Sequence, residues 1–466
     1  MNIITSRWQA IILWTYVGIL FFLVPIACRG TATNRYVATN APASAWPYDS
    51  WTSAATNIKY AVDAANSNNA GDLVIVSNGT YYLTEQITVS NVIVTNYSGN
   101  WSLTTINGNY STVTTRCFFL NHPNAVISGF TITNGYATNS LAGNGGGIYV
   151  EQGRVHDCLV TGCRSVMSVG YSRGGGGIYV KDGTVSCSSV IGNVFDSRGS
   201  ALTLAGGGGV YAASTNAMVT NCVIALNLAT NSASGGGLAM LYALGLNCTI
   251  VSNYADRYGG GCVLNSNSSL KNSVIASNAC FYYGGGIQIM GGATIYNCLI
   301  SRNKSTWQWG YCGGVYVNGP CHMSGCTIVS NLCRQGGGGG GISFDFATGC
   351  KTNISNCIIR MNQSLSGHSD LYDANNGPNK TSIMFSCVSS GSGFTIESVV
   401  TNDPSFESAS NGNYRLRNDS PCINAGINES WMINAYDLSG VQRIRYGIVD
   451  MGCFERLNQG TAYFVH

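Results

Sequence analysis

Aromatic and basic side chains recur in one kind of place along this sequence. They sit in short variable stretches that follow a regularly spaced asparagine and precede a run of glycines. In order these are Tyr171 and Arg173, Phe195 and Arg198, and Tyr254, Arg257 and Tyr258. Further along come Phe281, Tyr282 and Tyr283, then Lys304, Trp307, Trp309 and Tyr311, and finally Arg334. Aromatic rings stack on sugar rings, and guanidinium groups pair with carboxylates or sulfates in a fork. With Arg164 included, six basic residues stand there against two acidic ones, Asp196 and Asp256. Such a set suits a polysaccharide or cell-surface glycan, above all an acidic one. The competing reading is that the rings fold back and cover the flank of neighbouring strands.

Acid–base chemistry has less to stand on. Asp157, Asp182, Asp196, Asp256 and Asp345 are scattered singly. Asp370 and Asp373 are the close pair, flanking Tyr372 and near His368, and these three are the weak catalytic candidates. The plainer reading of the pair is a turn that closes the last regular coil. His156 and His322 stand alone and read as surface residues. No spacing resembles a zinc site or a nucleophile elbow, so no resident metal and no cofactor is expected. A net charge of +3 over 466 residues points to no nucleic-acid partner.

The elements that must position these residues repeat. One half-motif is a glycine run followed by alternating apolar residues, as at 145–150, 175–180, 207–212, 235–240, 259–264, 284–289, 312–317 and 339–344. The other half reads apolar-x-Asn-Cys-x-Ile-x-x-Asn, as from Val219 to Asn227 and from Ile295 to Asn303. Its cysteine position holds Cys158, Ser188, Cys222, Cys248, Ser273, Cys298, Cys326 and Cys357. Five residues later come Cys163, Asn193, Asn227, Asn253, Asn278, Asn303, Asn331 and Asn362. Successive members are 30, 34, 26, 25, 25, 28 and 31 residues apart. A 25-residue minimum with variable excess is one turn of a solenoid with insertions at a fixed corner. The alternation gives strands with one face inward, and stacking places equivalent residues about 4.8 Å apart. That is close to the rise of one sugar in an extended glycan.

The expected fold is therefore all-β, a right-handed parallel β-helix. Asparagine suits a ladder because its amide passes hydrogen bonds from coil to coil and it tolerates left-handed turns. Glycine permits a tight corner. The ladder thiols should be free, since parallel neighbours aim their Cβ atoms the same way at nearly 5 Å, too far for a bridge. Cys280, Cys312, Cys321, Cys333 and Cys350, read as loop residues, are the better disulfide candidates. Composition agrees with an uncharged rod: 60 glycines, 8 prolines and 9% charged residues, well below the ~25% of ordinary domains.

The chain starts with Arg7, an apolar run from Ile11 to Val24 and small residues after it, so residues 1–32 read as a secretory signal peptide. An uncleaved anchor and a lipid on Cys28 are the alternatives, and they or the signal peptide are the only membrane contact expected. The rod should span 33–400, with a cap at 51–82. There Ile58, Ala61, Val62 and Ala65 fall at helical spacing behind Ser53 as N-cap. Residues 401–456 differ in kind, and 457–466 form a tail.

That last segment carries Asp-Pro-Ser-Phe, Asn-Tyr-Arg-Leu, Ser-Pro-Cys-Ile-Asn-Ala-Gly, Asp437-Leu-Ser-Gly and Asp450-Met-Gly-Cys-Phe-Glu455. It resembles the terminal region of bacterial choice-of-anchor Q surface proteins over about 55 residues. The stretch from Trp51 to Tyr82 resembles their start. The middle resembles chlamydial polymorphic outer-membrane protein repeats and the pectin-lyase-like superfamily. The resemblance implies a β-helix of the cell surface and allows a polysaccharide lyase or hydrolase, for which calcium would be the cofactor. Only ten residues follow the block, without the family's usual anchoring tail, so secretion or lipid attachment is expected. The reading adopted is a secreted or surface-held monomeric rod that binds polysaccharide or mediates adhesion without catalysis. Its alternative is a lyase acting on acidic glycans.

Overall fold

Alternating apolar residues build three faces that wind around one core. A computed structural model of the chain describes residues 31–138, 145–167, 174–198, 206–307, 310–334, 338–345, 351–365, 367, 369–373, 381–389 and 394–457. Strands pair in parallel into sheets of 22, 12 and 9 strands, and the architecture is a parallel β-helix. The first sheet is the largest because most coils feed it two successive stretches, such as Val210–Ala212 and Met218–Thr220. The Asn-Cys half-motif supplies the second sheet and the residues after the ladder asparagine the third. Cys28 and the signal-peptide reading lie outside the described residues, and among these no helix is long and apolar enough to cross a membrane.

The registers make rows. Ile148, Ile178, Val210, Leu238, Cys262, Ile287, Val315 and Ile342 stack inward with no exposed surface. Burying a side chain of this size contributes roughly 1.5–3 kcal/mol. The glycine run and the asparagine turn out to be two halves of one contact. A Cβ on the third glycine, Gly237, would lie 2.7 Å from Asn253 Nδ2 of the same coil and 2.8 Å from the next coil's Gly261 oxygen. Glycine there leaves room for the ladder amide.

That ladder runs unbroken through Asn193, Asn227, Asn253, Asn278, Asn303, Asn331 and Asn362, all buried. Each Oδ1 accepts two bonds from the coil before it. Asn253 donates both its backbone N–H (2.9 Å) and its Nδ2 (3.0 Å) to Asn278 Oδ1, and Nδ2 also reaches the Ile224 oxygen. Cys163 N starts the row on Asn193 Oδ1. The left-handed turns are made by a second, separate set of asparagines, Asn221, Asn247, Asn272 and Asn297, with φ between 48° and 55°. These link their own amides coil to coil, as from Asn247 to Asn221 at 3.0 Å. This second set therefore does both tasks expected of asparagine, while the buried ladder does only the first.

Every cysteine among the described residues is a free thiol. The ladder thiols are buried, and desolvation pushes Cys158 and Cys222 up to about 12. The loop assignment of the other group is corrected. Cys280, Cys321 and Cys333 lie on strands, Cys312 replaces the first glycine of its run, and all four are buried. Cys350 lies outside the described residues.

A helix α1, Ile58–Asn68, covers the amino-terminal end with Ile58, Ala61, Val62 and Ala65 buried, as the spacing implied. Its N-cap is Asn57, whose side chain accepts from Lys59 N, and not Ser53; the helix starts one turn later than expected. At the other end, residues 402–456 lie along the flank of the last coils. Phe406, Tyr414, Leu416, Cys422, Met451 and Cys453 pack against Leu299, Val329, Ile358 and Cys387 of the rod. Trp431 stacks flat on Tyr296 at 5.0 Å and 3°. Beneath it the Glu429 carboxylate accepts from Ser324 Oγ, Ser355 Oγ, Asn356 Nδ2 and Trp431 Nε1. Arg443 is wholly buried, donating to the Gly452 oxygen and facing Glu455 at 3.2 Å.

Candidate functional site

In the central coils the described residues just before the glycine run lie against the first sheet, as Tyr283 does on Tyr316. In the central coils Tyr258, Tyr283, Cys312 and Gly339 form a parallel row of single bridges there. Beneath this row lie the outward-facing middle residues of the glycine-motif strands. These run Tyr149, Tyr179, Tyr211, Ala239, Val263, Gln288, Tyr316, Ser343 and Tyr372 in continuous register. The first glycine of the run allows the overlap, since a Cβ on Gly284 would lie 2.4 Å from the Ile287 oxygen and 3.2 Å from Tyr316 Cβ.

Six of the expected ring residues meet at this corner. Tyr258 and Tyr283 stack one coil apart at 5.2 Å and 15°, and Phe281 and Trp307 do the same at 5.6 Å and 18°. Tyr282 sets its edge against Trp307 at 4.4 Å, and Tyr311 meets Tyr283 edge-on at 4.9 Å. The Arg257 guanidinium stands 4.9 Å from the Tyr258 ring. The two stacks have a common cause: the backbone pairs coil to coil, as from Trp307 N to the Phe281 oxygen at 2.9 Å, so equivalent rings fall at ladder spacing.

Two members escaped the sequence reading. Tyr316, from the strand below, packs on Tyr283 at 4.9 Å and donates its hydroxyl to Asp345 Oδ2 at 2.5 Å. The signal was present: tyrosine fills the fifth place of the glycine motif at 149, 179, 211 and 316. Read as the outer face of a strand, that place was passed over. Burial, with Tyr258, Tyr311 and Asp345 nearby, pushes Tyr283 up to about 12. Burial and then the Asp345 hydrogen bond raise Tyr316 further. Both phenols are hydroxyl donors at neutral pH.

Tyr258 and Tyr283 turn a face to each other, as do Phe281 and Trp307, and the corner also carries tyrosine hydroxyls and the Arg257 guanidinium. Tyr311 is its exposed member, and the other five are half-buried. The rings pack along the flank of the strand below, and Tyr311 remains exposed.

The remaining candidates are spread along the rod. Tyr254 stands on the third sheet, in register with Leu228 and Ala279. Arg198 is an exposed turn residue whose N–H binds Asp196, and Arg334 is exposed one coil beyond Tyr311. Arg164 is held by Asp196 across coils. Burial alone would raise that carboxylate, but bonds from Asn231, Arg198 and Arg164 leave it below its ordinary value. Tyr171, Arg173, Trp309 and His368 lie outside the described residues.

The acid pair has a structural task. Asp370 Oδ1 accepts the Asn362 N–H at 3.1 Å and its Nδ2 at 3.0 Å, so it terminates the asparagine ladder. Asp373 is buried on the strand Leu371–Asp373 beside Phe344. Among the described residues no three His, Cys, Asp or Glu side chains group closely enough to hold a metal ion.

No family model matches the chain, and no curated protein matches it. Among solved structures it is similar to pectate lyase Pel9A, with 16% identity, 92% of this chain and 97% of that chain covered, and a TM-score of 0.46. A PL6 family alginate lyase, AlyGC, shares 13% identity over 86% of this chain and 59% of its own, with a TM-score of 0.41. The A-module of the Azotobacter vinelandii mannuronan C-5 epimerase AlgE6 shares 14%, with 74% and 94% covered and a TM-score of 0.38. These likenesses concern the coiled outline and carry nothing about the site.

Proposed function

We propose that this chain is an exported, monomeric rod that binds an acidic polysaccharide at its aromatic corner without cleaving it. The observation that supports this is the cluster of Arg257, Tyr258, Tyr283, Trp307 and Tyr311 on a corner that the carboxy-terminal segment does not cover. Tyrosine hydroxyls donate to ring and carboxylate oxygens, and the guanidinium supplies a charge-assisted fork. Lys304 and Arg334 extend the basic character along the same side. Cleavage would need a base beside a charge-stabilising group at one sugar. Asp370, the acid that sequence spacing offered, is occupied inside the rod. Attachment at the cell surface, in the manner of choice-of-anchor Q proteins, is part of the same proposal.

The test is a panel of immobilised acidic and neutral glycans probed with the full chain. Retention on polygalacturonate or alginate, weakened by salt, is expected. Binding to neutral glycans alone would sink the acidic reading. With calcium present, no ultraviolet-absorbing unsaturated product should appear, and its release would favour the lyase.

A further inference from the structure

Two cysteines face each other across the join between the rod and its carboxy-terminal segment. Cys387 pairs with Ile358 at the outward-facing end of the second sheet's last strand, Cys387–Val388. Its Sγ lies 3.4 Å from the Asn402 oxygen, where the chain starts back along the flank. Cys422 comes from the segment, 35 residues later, anchored by its N–H on Ser420 Oγ and its oxygen on Met451 N. Both have no exposed surface and share one buried cluster, in which their thiols are in side-chain contact.

The geometry differs from that of the ladder thiols. Cys298, Cys326 and Cys357 each immediately precede a strand of the same parallel sheet and repeat one coil apart at about 4.8 Å. A disulfide wants Cβ atoms roughly 3.5–4.5 Å apart on converging bonds. Cys387 faces out of the rod and Cys422 packs on it from the segment, so the two approach from opposite sides of the join rather than from neighbouring parallel strands.

We propose that Cys387 and Cys422 form a disulfide that fastens the carboxy-terminal segment to the rod. The two thiols lose two protons and two electrons as one sulfur–sulfur bond forms. A donor disulfide, a small-molecule disulfide or an oxidised dithiol protein, takes up both and leaves as two thiols. Exchange takes place as the segment docks, because both sulfurs are buried afterwards. A link over this span holds the segment through restricted chain entropy.

The test uses the full chain, folded in a glutathione redox buffer, then denatured, alkylated and mapped by mass spectrometry. A linked peptide joining Cys387 to Cys422 is expected, with the ladder cysteines alkylated. Reduction should then speed proteolysis within 402–456 about tenfold, an effect absent from the Cys387→Ser, Cys422→Ser double variant. Quantitative alkylation of both residues after oxidation would overturn the proposal. So would a link that joins Cys422 or Cys387 to another cysteine, such as Cys453.

Discussion

The asparagine ladder inside the rod and the aromatic corner outside it share one period and obey opposite rules. Inside, the same residue recurs at seven successive positions, each buried and each bonded the same way. Outside, rings stack on the coil spacing too, but their identities change from coil to coil. A repeated residue in a rod answers to its own copy in the next coil. A varied residue answers to something else, and at this corner the other party is the ligand proposed above. The flank covered by residues 402–456 gives a third condition, in which Trp431 supplies from within the chain the ring that lies on Tyr296.

The largest effect should come from breaking the inner ladder. Asn278→Ala leaves the Asn253 N–H and Nδ2, and the Ile250 oxygen, without their partners. Each buried orphan costs about 1–3 kcal/mol, so a loss of roughly 3–9 kcal/mol in denaturant unfolding is expected. Glycan specificity in the protein that still folds should stay as it was. Trp307→Ala should do the reverse. Glycan affinity falls about tenfold, equivalent to roughly 1.4 kcal/mol, while unfolding shifts by no more than the ~0.5–1.5 kcal/mol that one aromatic pair contributes.

The covered flank should respond to acid. Burial would raise Glu429, but the His322 imidazole 3.6 Å away and the bonds from Ser355, Ser324 and Trp431 outweigh it and leave the carboxyl at about 2 against an ordinary 4.5. A depressed carboxylate stabilises the fold above its unfolded pKa and loses that contribution as pH falls toward the folded value. Trp431 fluorescence should therefore report loosening of the segment between about pH 4.5 and 2. In Glu429→Gln that pH dependence should flatten. The smallest effect belongs to Tyr283→Phe: a few-fold weaker binding, with stability unchanged within ~0.5 kcal/mol.

Much of the fold was legible because a ladder position must suit itself, and such positions repeat in the sequence at a readable spacing. The triple glycine, the asparagine and the apolar alternation all fell where expected. Less legible were pairings between unlike residues. Nothing local announces that Gly237 makes room for Asn253, or that Asp370 finishes a row of asparagines. Tyr316 and Asp345 were missed for the same reason, since they meet only when one coil's strand lies under another's turn. The corner residues were found by composition, but their stacking on one another was not, because ring orientation depends on backbone pairing between coils. Cys280 and Cys333 were misplaced in loops because two-residue strands leave almost no alternation to detect.

The most direct test of the central claim is an equilibrium titration with polygalacturonate oligosaccharides at low salt, comparing wild type with Trp307→Ala. Melting would be followed on the same samples. A dissociation constant about tenfold weaker in the variant, with a similar melting temperature, is the predicted result. Equal affinities for the two proteins, both correctly folded, would contradict it and leave the corner as no more than a cover for the rod.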